Sequence, residues 1–107
     1  MLFKALFLAH TPDAEPRKHQ SVIETSKYKL FVILVRNQKQ AIEVSKEFVE
    51  KQGICSILLC PGFTNKDVAE LSKAVGENVG VSVARGDGPS SRIAIEAMKK
   101  AGWFSKE

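Results

Sequence analysis

Four short runs of the chain hold almost nothing but apolar residues, and the stretches between them repeat apolar residues every three or four positions. Phe3 to Ala9 is broken only by Lys4, and Leu30 to Val35 is not broken at all. A strand with one wet face alternates, so continuous runs of this length predict strands covered on both faces, with Leu30 to Val35 in mid-sheet. Ile54 to Cys60 is the third run, ended by Pro61-Gly62, and Val79 to Ala84 is the fourth. Between the second and third runs, Asn37 with Gln40 reads as a capping box. Ala41, Val44 and Phe48, with Ile42 and Val49, then recur at helical spacing up to Gly53. Thr64 with Asp67 opens a second helix whose Val68, Leu71 and Val75 share a face before Gly76. A last helix is predicted from about Ser90 to Lys100, stopped at Gly102, with Trp103-Phe104 left as an apolar tail.

One segment stays open. Asp13 could cap a helix with Pro16 in its first turn, yet Val22 to Thr25 could equally be a short extended piece. Strands alternating with helices predict right-handed β-α-β units. The expected fold is therefore α/β, a small three-layer α/β/α sandwich with a mostly parallel sheet of about four strands. One strand could be antiparallel or paired across a dimer. At 107 residues the expectation is a single domain, residues 1–107, long enough to bury its own core.

Composition narrows the classes. An apolar share of 44% and a charged share of 26% exclude a disordered or fibrous chain. Sixteen basic against twelve acidic residues give a net charge of +4. The charges are interleaved, the densest clusters being Arg17-Lys18-His19 and Lys99-Lys100, and no stacking aromatics lie among them, so no nucleic-acid partner is expected. The apolar start, Met1 to Ala9, is too short for a membrane span and lacks the order of a signal peptide, which predicts a cytoplasmic protein with no membrane partner. Cys55 and Cys60 are five apart, outside zinc and Cys-x-x-Cys spacings. They are expected as reduced, buried thiols at opposite ends of one strand, too far apart to pair. His10 and His19 have no carboxylate spaced to complete a metal triad, so no metal site is expected.

In open parallel sheets ligands bind beyond the carboxyl ends of the strands. Polar residues and turns collect there: His10, Thr11 and Asp13 after the first run, Arg36 and Asn37 after the second, and Cys60 to Thr64 after the third. After the fourth, Arg85-Gly86-Asp87-Gly88-Pro89-Ser90-Ser91-Arg92 reads as a glycine-rich turn into a helix. Free N–H groups of that first turn, with Ser90 and Ser91 beside them and Arg85 and Arg92 flanking, form a candidate anion site. The ligand-binding candidates are His10, Asp13, Arg36, Asn37, Cys60, Thr64, Arg85, Gly86, Asp87, Gly88, Ser90, Ser91 and Arg92. Capping alone would account for Asn37, Thr64 and Ser91. Arg36 and Arg85, ending what read as neighbouring buried strands, would lie together and want a counter-charge, which Asp87 or Asp13 could supply. Cys60, before a turn and a helix, could hold a thiolate with His10 as base, or could simply fill a strand end as a small apolar residue.

Known motifs fit only in part. Gly86-x-Gly88-x-x-Ser91 opens like a dinucleotide fingerprint but has serine for its third glycine and follows the last strand. There is no Gly-Lys-Ser or Gly-Lys-Thr and no Gly-x-Ser-x-Gly, so ATPase and serine-hydrolase readings fail. No catalytic set and no cofactor are specified.

Leu58-Leu59-Cys60-Pro61-Gly62-Phe63-Thr64, Val83 to Ser91, Val35-Arg36-Asn37-Gln38, and Ala9-His10 with Pro12-Asp13 resemble a family of short uncharacterised prokaryotic proteins that carries a domain-of-unknown-function label. The resemblance covers nearly the full length. It implies the same choice of rim residues and no activity. The sequence thus predicts binding of a small anionic or phosphorylated metabolite at the rim, the alternative being a non-catalytic interaction or regulatory subunit that docks a protein partner. In both cases a sheet edge and an apolar tail need cover, which predicts a homodimer with Trp103 at or near the interface.

Overall fold

The computed structural model describes residues 1–104 of the chain. Its elements are β1 (Phe3–His10), β2 (Gln20–Glu24), β3 (Tyr28–Val35), α1 (Gln38–Gln52), β4 (Ser56–Leu59), α2 (Asn65–Val75), β5 (Gly80–Val83) and α3 (Gly88–Lys100). The strands form one sheet in the order β2-β3-β1-β4-β5. β1 runs parallel to β3 and β4, β4 runs parallel to β5, and β2 is antiparallel to β3. The class is α/β, as the alternation predicts, but the sheet has five strands rather than four and is mixed.

The added strand falls in the segment that the sequence left open. Asp13 caps no helix there. Lys18 and His19 both donate their backbone N–H to Glu15 O, and Glu15 N–H donates to His19 Nδ1, which closes the segment as turns. Thr25 Oγ1 then accepts from the N–H groups of Lys27 and Tyr28 and turns β2 back along β3. All five residues of β2 are exposed, so this edge strand carries no burial signal for the sequence to show.

Register assigns the faces. Leu6 lies between Phe31 and Ile57, and Leu8 between Ile33 and Leu59. These residues form the core with Val44 and Phe48 of α1 and Val68, Leu71 and Val75 of α2, so both helices lie on one face. Right-handed crossovers that step in the same direction, β3 to β4 and β4 to β5, put them there. Successive strand residues point to opposite faces. Phe3, Ala5 and Phe7, Tyr28, Leu30 and Val32, and Ser56 and Leu58 therefore line the other face, where Phe3 remains 50% and Leu58 42% exposed. The third layer of the expected sandwich is not packed: α3 has no buried residue. The radius of gyration is 14.4 Å, above the about 13 Å of a compact chain of this length, as a helix that stands off the body requires.

The two packed helices start and stop where the sequence predicts, but α1 lacks the reciprocal half of its expected capping box, because Gln40 Oε1 accepts from the Arg36 N–H instead of that of Asn37. Asn37 accepts from Gln40 N–H at the start of α1, and Gly53 ends it in the left-handed conformation with its N–H on Phe48 O. Thr64 and Asp67 cap α2 reciprocally.

Candidate functional site

Because β1, β3, β4 and β5 run the same way, His10, Val35, Leu59 and Val83 end on one rim. From β1 the chain travels toward β3, and from β4 it travels toward β5. The direction of travel across the sheet thus reverses between the adjacent strands β1 and β4, and in open α/β sheets the crevice outside such a pair is where ligands bind.

His10 and Cys60 occupy that crevice. His10 backbone N–H donates to Cys60 Sγ at 3.4 Å. The His10 ring stacks on Phe63 with centroids 4.0 Å apart and 19° between planes. A Cβ on Gly62 would come within 3.2 Å of His10 Nδ1 and 3.5 Å of Cys60 Sγ, so a side chain there would push the imidazole by a few tenths of an ångström. Burial pushes the His10 pKa below its ordinary 6.5, and the Asp67 carboxylate opposes the shift only in part. The imidazole is therefore neutral at neutral pH and offers one donor and one acceptor rather than a fixed charge.

Two helix N-termini meet beside it. Gln38 Nε2 donates to Asp67 O at 3.0 Å and ties the first turn of α1 to that of α2. Asn37 and Thr64 are engaged as caps: Asn37 Oδ1 accepts from Gln40 N–H at 2.8 Å, and Thr64 Oγ1 accepts from Asp67 N–H at 3.1 Å. The first amides of each helix stay free, and both dipoles turn their positive ends to the rim. Gln38 and Asp67 enter the site by position alone. Asp67 was legible only as half of a capping box, and a glutamine at the first position of a helix carries no signal.

The arginines do not converge. β3 and β5 are separated by β1 and β4, so Arg36 and Arg85 end strands about 14 Å apart rather than neighbouring ones. Arg36, whose N–H donates to Gln40 Oε1 at 2.7 Å, lines a separate groove of about 580 Å³ with Arg17, Lys18, Glu43 and Glu47. Arg85 lies 2.8 Å from Asp87 in an exposed ion pair, a kind of pair that adds little stability. That carboxylate stands at the N-cap of α3 without capping it. At Gly86 a Cβ would come 3.1 Å from Ser91 Oγ and 3.4 Å from Pro61 Cβ, so Gly86 lets the last loop lie against the turn that carries Cys60. Gly88 has open space around it, and Ser90 and Arg92 are exposed. Asp13 accepts from the Thr11 hydroxyl at 2.8 Å, which lowers its pKa, and it is exposed on its own loop. The structure thus brings His10, Cys60, Thr64, Gly86 and Ser91 to one corner and leaves Arg36 and Asp13 outside it.

Both cysteines are free, but Cys55 is exposed and Cys60 half-buried rather than both buried, because they flank β4 instead of lying within it. Among the described residues no group of three His, Cys, Asp or Glu is placed to hold a metal ion, and no helix is long and apolar enough to cross a membrane. No curated protein and no solved structure matches the chain. A family profile does match, over residues 3–99, and by that match the chain belongs to DUF6506, a family of unknown function.

Proposed function

We propose that the chain binds a small anionic molecule, of the phosphorylated-metabolite class, in the crevice at the carboxyl ends of β1 and β4. The observation that carries this reading is the placement of His10 and Cys60 where the strand order reverses, beside the joined N-terminal turns of α1 and α2. Free amides would receive the anion, and neutral His10 would donate one N–H. A helix end adds about 0.3–1 kcal/mol at an exposed site, so charge-assisted bonds from Arg85 and Arg92 must supply most of the affinity. Asp87 holds Arg85 at 2.8 Å in the free protein, and an anion would take that carboxylate's place. The same reading places the protein in the cytoplasm, where two free cysteines stay reduced.

The test is a phosphate and sulfate titration of the wild type and of Arg85→Ala, Ser91→Ala, Asp87→Asn and Lys73→Ala. Arg85→Ala should weaken binding more than Ser91→Ala, Asp87→Asn should strengthen it by releasing Arg85, and Lys73→Ala, at the far end of α2, should change nothing. Equal affinity in every variant, or no binding at millimolar anion, would reduce the Gly86–Ser91 turn to a structural loop.

A second reading has its own observation. α3 buries no residue, although Trp103, whose N–H donates to Met98 O, is half-buried beside its end. A helix of marginal length is not stable in water without packing. This supports self-association as a homodimer with Trp103 at or near the contact.

A further inference from the structure

Resting on that self-association reading, we infer that a twofold pair of chains exchanges α3, each helix lying across the open face of the partner's sheet. The face is apolar and uncharged. Phe3, Phe7, Tyr28, Leu30, Val32 and Leu58 dominate it, and the remaining positions on that face are Ala5, Ala9, Ile23, Leu34, serines and Gly80. The charged strand residues Lys4, Lys29 and Glu24 share the opposite parity, with Lys4 Nζ on Gln52 O and Lys29 paired to Glu24. Nucleic acid, an anionic bilayer or a charged peptide would therefore find no counter-charge on the open face.

The helix is its complement. Ile93, Ala94, Ala97 and Ala101 fall on one side of α3 at helical spacing and are all exposed, Ile93 at 74%. Arg92, Glu96 and Lys99 lie on the other side, with Lys99 paired to Glu96, and Lys100, seven residues from Ile93, flanks the apolar side. Alanines let a helix approach a sheet closely, and Ile93 supplies an anchor.

Size agrees with this assignment. Three strands at about 4.8 Å spacing and up to eight residues at about 3.3 Å present a face of roughly 15 by 26 Å. A thirteen-residue helix is about 20 Å long and 10 Å wide, so it covers about half of that face. Each copy gives one helix and receives one, which buries roughly 800 Å² in plan. Side-chain relief adds to this plan area, which by itself is below the about 1,200–2,000 Å² class of stable interfaces. Reciprocal exchange of one element between two copies is a low-cost route to a closed dimer.

The experiment is light scattering on the wild type, Ile93→Asp, Leu58→Arg and an equimolar mixture of the two variants, with circular dichroism to confirm that each is folded. Both positions are exposed in the single chain, so neither variant should unfold it. The wild type should have twice the chain mass, and each variant alone should be monomeric. The mixture should recover dimer, because the Leu58→Arg copy still offers an intact helix to the intact sheet of the Ile93→Asp copy. A monomeric wild type would overturn self-association and this interface together. A dimer that persists in both single variants would overturn only the interface, and a mixture that stays monomeric would overturn the exchange.

Discussion

The two faces of the same sheet differ in what the chain itself supplies. On one, Leu6, Leu8, Ile57 and Leu59 are fully buried beneath α1 and α2. On the other, Phe3 and Leu58, the latter between Ile57 and Leu59 in the chain, keep about half of their surface in water. At about 25 cal/mol per Å² of apolar area buried, the covered face stabilises the single chain, while the open face leaves apolar area in water. The rim crevice lies on the covered side, where His10 shares the parity of Leu6 and Leu8.

The neighbouring leucines Leu58 and Leu59 of β4 should separate the two faces most strongly. Leu59→Ala should cost about 2–5 kcal/mol, the range for truncating a fully buried leucine, whereas Leu58→Ala should change the monomer by less than about 1 kcal/mol. Urea denaturation in the Ile93→Asp background, where association does not enter, measures both. Similar losses at the two sites would mean that the open face is already covered within one chain.

A smaller effect comes from His10. Its folded pKa lies below 6.5, so on acidification the unfolded chain takes up the proton first. The stability that goes with neutral His10 is fully present above pH 6.5 and declines as the pH falls from there toward the folded pKa. Thermal melts across that window should show the wild type losing stability relative to His10→Gln. Parallel pH profiles would mean that the imidazole is not desolvated at the rim.

The covered half of the fold was legible because its signals are local. Asn37 to Gly53 and Thr64 to Gly76 carry both caps and periodicity, and the structure ends those helices at the same glycines. β2 was legible only as one of two alternatives for its segment, because burial is what patterning reports, and an edge strand with five exposed residues has none. The third layer was over-read for the converse reason: apolar runs such as Leu30 to Val35 state that both faces want cover but not which molecule provides it. At the rim, residues that touch along one loop, such as Cys60 and Gly62, were found from the sequence. Those set by strand order were not. Arg36 and Arg85 looked adjacent because both end apolar runs that read as buried strands, yet β1 and β4 lie between them and β5 is an exposed edge strand.

The claim that a second copy covers the open face is read from the dependence of the melting temperature on protein concentration. A partner that binds only the folded state stabilises by mass action, so from about 1 to about 100 µM the wild-type midpoint should climb by several degrees while that of Ile93→Asp stays fixed. A wild-type midpoint independent of concentration over that range would contradict the claim.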